Sequence, residues 1–339
     1  RGRQTHRATW HFRHIYRSGP CPPCFGAGGF YSAALRRIWR KETHDTGQIM
    51  LNNTRRGILL MIAATFIYAM QDGLSRHLAG EYNVYMVVML RYWFFASFVV
   101  VLSMRRAGGL RSAAQSNVPW LQITRGVLLA VEIIVTVLAF VALGLIAAHA
   151  IFAAYPLIAA ALSGPVLGEK VGWRRWVAIG IGFIGVLIIL RPGVAVVSPG
   201  ALLALLAAFM FAVYGLLTRY VARYDRASTS FFYTGVAGAV TMTAIGLFYW
   251  QPMVGFDWVW MGLLCLSSVS AHFLLIKAYE AAEVSAVQPF AYLQLVFVSF
   301  VGVLVFNETL APHVVLGAVI VIGAGLFTFW RARVRQAQG

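Results

Sequence analysis

The sequence predicts an all-α integral membrane protein of ten transmembrane helices, arranged as two inverted five-helix repeats. Its composition, the length of its apolar runs and an internal similarity between its halves carry that expectation. Of 339 residues, 60% are hydrophobic and 12% charged, against about half and about a quarter in a soluble domain. Mean hydropathy is +0.74. These figures exclude intrinsic disorder and argue against an ordinary soluble enzyme, whose surface needs more charge. An outer surface that meets lipid does not.

A helix crosses the hydrocarbon core with about 20 mostly apolar residues. Ten runs meet that requirement: 57–78, 83–104, 119–141, 147–168, 174–191, 200–221, 229–250, 257–279, 285–306 and 312–331. The runs are continuous rather than alternating, which excludes a β-barrel, and hydrocarbon leaves no partner for a free amide, which demands closed helices. Arg105-Arg106-Ala107-Gly108-Gly109 ends the second run, and 168–175 separates the fourth from the fifth. Arg191-Pro192-Gly193 ends the fifth, because proline disfavours helix at the residue before it. Gly144 is the only punctuation between the third and fourth.

Basic residues set the orientation. Arg55, Arg56, Arg105, Arg106, Arg111, Lys170, Arg174, Arg175, Arg219, Arg223, Arg226, Arg331, Arg333 and Arg335 fall on one side, while Arg76 and Arg191 fall on the other. The positive-inside rule then puts both termini in the cytoplasm. The net charge of +17 belongs to these membrane flanks and does not point to nucleic acid. Trp120, Trp173, Trp176, Trp250, Trp258, Trp260 and Trp330 sit near span ends, as interfacial aromatics do.

The chain divides into a basic N-terminal tail (1–56), two repeats (57–193 and 194–331) and a cytoplasmic tail (332–339). The N-terminal tail is expected to be disordered, with residues 1–49 lying upstream of a true start at Met50. Cys21-Pro22-Pro23-Cys24 has metal or redox spacing but lacks a second pair. No metal or cofactor is expected.

The halves match at a shift of about 140 residues. Leu74-Ser75-Arg76-His77-Leu78 aligns with Leu217-Thr218-Arg219-Tyr220-Val221 at a shift of 143, Glu169 with Glu308 at 139, and Gly185 with Gly325 at 140. Five spans per half is an odd number, so the second copy enters the membrane upside down. Inverted repeats of this kind characterise secondary transporters with a site near the midplane. Gly180, Gly182 and Gly185, with Gly317, Gly323 and Gly325, give spans 5 and 10 small surfaces. Those surfaces serve either sliding between the halves or packing within one half.

Three stretches of the first half, Ala147 to Leu157, Leu167-Gly168-Glu169 to Trp176, and Gly182 to Gly193, resemble the first EamA domain of the drug/metabolite transporter superfamily. Ser285 to Val296, and Gly302 to Glu308, resemble the second. The resemblance covers roughly 57–331. It implies ten helices, two EamA repeats, cytoplasmic termini and a carrier of small metabolites in a bacterial inner membrane. The second repeat departs from the pattern, since Asn307 replaces the glycine before Glu308 and no Arg-Arg-Trp follows.

Ionisable residues inside a membrane are costly and point to function. Glu132 lies midway along span 3, where it either meets a cation or proton or pairs with Arg91 of span 2. Arg91 either holds an anionic group or neutralises Glu132. His272, in span 8, is a proton relay or a core histidine. Asp72, beside Gln71 and Tyr68 in span 1, lines the cavity or pairs with Arg76 one turn on. Pro156 and Pro289 interrupt spans 4 and 9, one in each half, and interrupted helices mark binding sites in transporters. Their neighbours Tyr155, Gln288, Tyr292 and Gln294, with Tyr214 of span 6, complete the expected lining, which suits an aromatic or amide-bearing solute. His149, Lys277 and Glu280 are expected at the rim. Glu169 is expected in a salt bridge with its basic neighbours, and Glu308 has no evident partner.

The expected function is therefore a secondary transporter. It would move an amino-acid-like, aromatic or cationic metabolite by alternating access, with a small-molecule solute and the lipid bilayer as its partners. A membrane-embedded enzyme is the alternative, but there is no H-E-x-x-H, G-x-S-x-G or phosphate-binding glycine loop. A non-transporting scaffold has no need of Glu132 and Arg91 in mid-membrane.

Overall fold

The computed structural model describes residues 29–105, 109–167, 172–190, 198–221, 223–281 and 288–336, with backbone alone for 29–54. Arg1–Leu51 and Asn52–Gly339 form two separate units. The described part of the first is helical backbone from Gly29. Everything below concerns the second.

Twelve helices and no strand occur among the described residues: α1 (Gly29–Glu81), α2 (Val84–Met104), α3 (Gly109–Ala114), α4 (Pro119–Leu143), α5 (Leu145–Phe152), α6 (Tyr155–Leu167), α7 (Trp173–Leu190), α8 (Pro199–Val221), α9 (Ala227–Gly246), α10 (Asp257–Ala281), α11 (Leu293–Phe306) and α12 (Pro312–Gln336). Local chemistry sets several ends. The Asn83 side chain caps α2 by accepting from the amides of Tyr85 and Met86 at 2.9 and 3.3 Å. Pro119 opens α4, where its missing N–H costs nothing.

Among the described residues, eight of these helices are each long and apolar enough to cross a membrane, a ninth such span, 145–164, runs through α5 and α6, and 290–306 forms a shorter apolar helix. That helix is short because Gln288–Tyr292, which contains Pro289, forms a 3-10 turn rather than α-helix. The corresponding place in the first half is also broken. The fourth run is two helices, α5 and α6, separated by a turn at Ala153 and Ala154. Pro156 excludes an α-helical carbonyl four residues back, at Phe152, where α5 ends. Phe248, Leu304 and Trp120 are among many large apolar side chains left exposed, a surface that fits lipid.

Helices of one half pack mainly on helices of the other. α7 lies against α12, α4 against α8 and α9, and α2 against α9 and α10. Exchanging the halves turns the α4–α9 contact into the α10–α2 contact and leaves α7–α12 and α2–α9 unchanged, so the pairing is reciprocal. Of the six glycines, Gly185 and Gly317 face each other across the α7–α12 contact, which joins the halves, while Gly325 packs on Tyr292 of its own half. A Cβ on Gly185 would lie 2.8 Å from the Gly317 carbonyl, and one on Gly317 would lie 2.5 Å from the Gly185 carbonyl. Backbone thus meets backbone, and no flexible side chain can yield. We expect Gly317→Ala to destabilise the protein by about 1–3 kcal/mol, the usual cost of overpacking. Thermal unfolding in detergent measures this, and an unchanged melt would show that the helices separate freely.

Candidate functional site

The polar residues of the interior lie in stripes along individual helices. On α4, Gln122, Arg125 and Glu132 are buried together with Leu129, three or four residues apart on one face. On α1, Gln71, Asp72 and Ser75 are buried. α10 contributes Ser268 and α5 contributes His149. These stripes meet in three places.

The first is where the C-terminal end of α1 meets the N-terminus of α5 and the end of α11. Arg76 forms an ion pair with Glu308 and lies 4.1 Å over the Phe306 ring. The Glu308 carboxylate also accepts the Leu145 and Ile146 amides at 2.7 and 2.9 Å. It therefore caps α5, which has no cap of its own because Gly144 precedes it. Gly144 has a φ of +91°, and a Cβ there would sit 2.7 Å from the carboxylate, so only glycine fits. One helical turn deeper, His149 Nε2 lies 3.1 Å from Asp72 Oδ2, and the Gln294 amide donates to the same oxygen at 2.8 Å.

The second is a narrow cleft, with room for about one water molecule, lined by Arg91, Tyr92, Phe95, Leu129, Ile133, Ser268 and His272. Arg91 Nε donates to Ser268 Oγ at 2.9 Å. His272 Nδ1 lies 2.9 Å from the Ser268 carbonyl, which fixes the ring. Phe95 and Tyr68 pack on that imidazole, with centroids 5.6 and 5.3 Å away. Glu132 accepts from Thr136 at 2.6 Å and interacts through space with Arg91 and Asp72.

The third lies at the opposite end of the bundle. Arg125 donates to Tyr214, Thr218, Gln122, the Ser230 carbonyl and Thr234. Gln122 continues to Asp225 at 2.8 Å, and Asp225 also accepts from Ser116 and Asn117. Partial burial pushes the Asp225 carboxyl up, but hydrogen bonds from Ser116, Gln122 and Asn117 outweigh it and hold the group below the ordinary carboxylate range.

The expected lining is thus distributed rather than gathered into one pocket. Asp72 and Gln294 meet in the first cluster, while Arg91, His272 and Tyr68 meet around the second. Tyr214 belongs to the third, and Phe211 connects it to Tyr155, with centroids 5.9 and 4.9 Å away. Gln71 Oε1 and the Tyr292 hydroxyl are buried without a hydrogen-bond partner among the described residues. The side chains of Gln288, Pro289 and Glu280, and residues Glu169 and Lys170, lie outside the described residues. Three expectations are corrected. Glu308 is well partnered, because the chain folds it back onto α5. Arg76 pairs with Glu308, leaving Asp72 to His149. His149 is a buried member of the cluster rather than a rim residue, since α5 begins at Leu145 and carries it one turn inward. Arg125 and Gln122 were missed, although their spacing with Glu132 on one helical face was a readable signal.

Residues 55–191 and 198–330 each match the family described as the EamA-like transporter family. The S-adenosylmethionine uptake transporter of Rickettsia prowazekii is 26% identical over 81% of this chain and 92% of its own length. The riboflavin transporter of Vibrio cholerae is 28% identical over 82% and 94%. One solved structure, described only as the crystal structure of a protein, superposes with a TM-score of 0.58 at 16% identity, covering 80% of this chain and 96% of its own. It therefore shares the fold.

Proposed function

The chain belongs to the EamA-like transporter family, and from that premise we propose that it is a secondary transporter. It moves a small aromatic, cationic or amino-acid-like metabolite across a bacterial inner membrane by alternating access. Ten spans form two inverted repeats of five, with 290–306 as the ninth, and both termini are cytoplasmic. In that orientation the Arg76–Glu308 cluster closes the outer end and the Arg125 cluster closes the inner end.

The observation that carries this reading is the burial of Asp72, Arg91 and Glu132 between helices of the two repeats. Charges at that depth are retained where a polar solute or ion passes. Arg91 offers a fork for a carboxylate, Asp72 and Glu132 offer acceptors for a cationic group, and Phe95 and Tyr68 offer ring faces. The cleft lined by Arg91, Ser268 and His272 is too small for such a solute as it stands, so the cargo-bound state requires these helices to move apart.

Counterflow into proteoliposomes tests the proposal, with S-adenosylmethionine, riboflavin and a panel of amino acids as probes. Saturable exchange of at least one probe is expected, reduced about tenfold or more by Arg91→Ala, the loss of one charged hydrogen bond. No exchange of any probe by the wild-type protein would overturn this substrate class.

A further inference from the structure

Both ring nitrogens of His149 face hydrogen-bond acceptors. Nδ1 lies 3.1 Å from the Leu145 carbonyl oxygen, which cannot donate, so Nδ1 carries a proton. Nε2 lies 3.1 Å from Asp72 Oδ2. A bare imidazole nitrogen and a bare carboxylate oxygen would both be acceptors there. A second proton must lie between them, on the imidazole or on the carboxyl. We propose that Asp72 and His149 form a proton-binding site, and that its single exchangeable proton is the coupling ion of transport.

The surroundings fit this role. His149 and Asp72 are buried, so their proton does not exchange freely with water in this state. Phe140 stacks on the imidazole with a centroid distance of 4.7 Å and an interplanar angle of 14°, a face that favours a cationic ring. The Gln294 amide donates to Asp72 Oδ2 and holds the carboxylate in place whichever partner has the proton. From α1, Arg76 stands one turn from Asp72, but Glu308 occupies it. From α4, Glu132 acts on Asp72. Of the other elements packed on α5, α7 brings Arg174 and Arg175, α8 brings Tyr214 and α12 brings His313.

The proton balance is simple. Imidazole, carboxylate and one proton from solvent give the bridged pair, and release returns that proton to water. Without it, two acceptors face each other across the α1–α5 contact, directly beneath the Arg76–Glu308 pair. The loaded pair therefore favours closure at that end, and its loss as pH rises favours opening. Cargo binding and proton occupancy are linked through the same closure.

This inference rests on the transporter reading, and its primary test does not need a substrate. In protein labelled with ¹⁵N-histidine and held in nanodiscs, NMR from acid to alkaline pH follows each imidazole. One histidine is expected with Nδ1 protonated throughout and Nε2 titrating. Its signal should vanish in His149→Gln, and its Nε2 titration should change in Asp72→Asn. An Nε2 unprotonated at every pH, or protonated at every pH, would overturn the exchangeable proton.

Proteoliposomes loaded with S-adenosylmethionine or riboflavin then test coupling. A pH gradient should drive accumulation, and His149→Gln should lower the ratio of accumulation to counterflow about tenfold. Counterflow without gradient-driven accumulation in the wild-type protein would overturn coupling while leaving transport intact. A titrating Nε2 with no flux of either probe would support the proton site and count against the transport reading.

Discussion

Glu308→Gln is expected to unlock the end of the bundle where α1, α5 and α11 meet. The carboxylate binds Arg76 and two α5 amides at once. Hydrogen bonds to a charged group are worth about 1.5–3 kcal/mol each, and they share one acceptor group, so their losses do not add. A glutamine oxygen can keep one amide but presents its own NH₂ to the other. We expect the closed arrangement to lose about 3 kcal/mol, a shift of roughly a hundredfold or more. Arg76→Gln should lose less, since the capping of α5 survives, and the double variant should match Glu308→Gln. A cysteine replacing Ala148, in a background without Cys21, Cys24 and Cys265, reports the opening through its reaction with a membrane-impermeant thiol reagent. Labelling no faster than in the parent would show that another contact seals this end.

Nine of the ten expected spans appear among the described residues, and they were readable because an apolar run of span length shows in the sequence itself. Proline and glycine marked the interruptions at Pro156, Pro289 and Gly144 for reasons local to the backbone. The buried charges were readable too, since an ionisable residue within an apolar run is conspicuous. Their partners were not. Asp72 and Arg76 are four residues apart on a helix, and local rules favour pairing them. In the fold each finds a partner elsewhere in the chain, His149 77 residues away and Glu308 232 residues away. Nothing in the apolar sequence between them encodes that proximity in a form that can be read without the packing. Arg125 was passed over for a different reason. An arginine six residues into a span looks like a flank that reaches the interface; its helical spacing with Glu132 hinted otherwise, and the packing of α4 on α8 and α9 shows it enclosed.

Arg125 is also where the largest loss of stability is expected. The side chain is almost fully buried and serves five acceptors on α4, α8 and α9. Its guanidinium carbon lies 5.2 Å from the centre of the Tyr214 ring. Truncation to alanine leaves a cavity and strips a donor from the Ser230 carbonyl, at 2.6 Å the shortest of these contacts. Together these should cost about 3–5 kcal/mol. Arg125→Lys keeps the charge, but an ammonium has three donors on one atom and cannot span Tyr214 on one side and Ser230 on the other. It should recover less than half of the loss. Arg125→Met fills much of the volume and separates packing from hydrogen bonding, so it should fall near alanine if the bonds dominate. Thermal unfolding in detergent ranks the four proteins. Met ranking with arginine would mean that the network holds α4, α8 and α9 together by volume alone, and the closure assigned to this end would lose its basis.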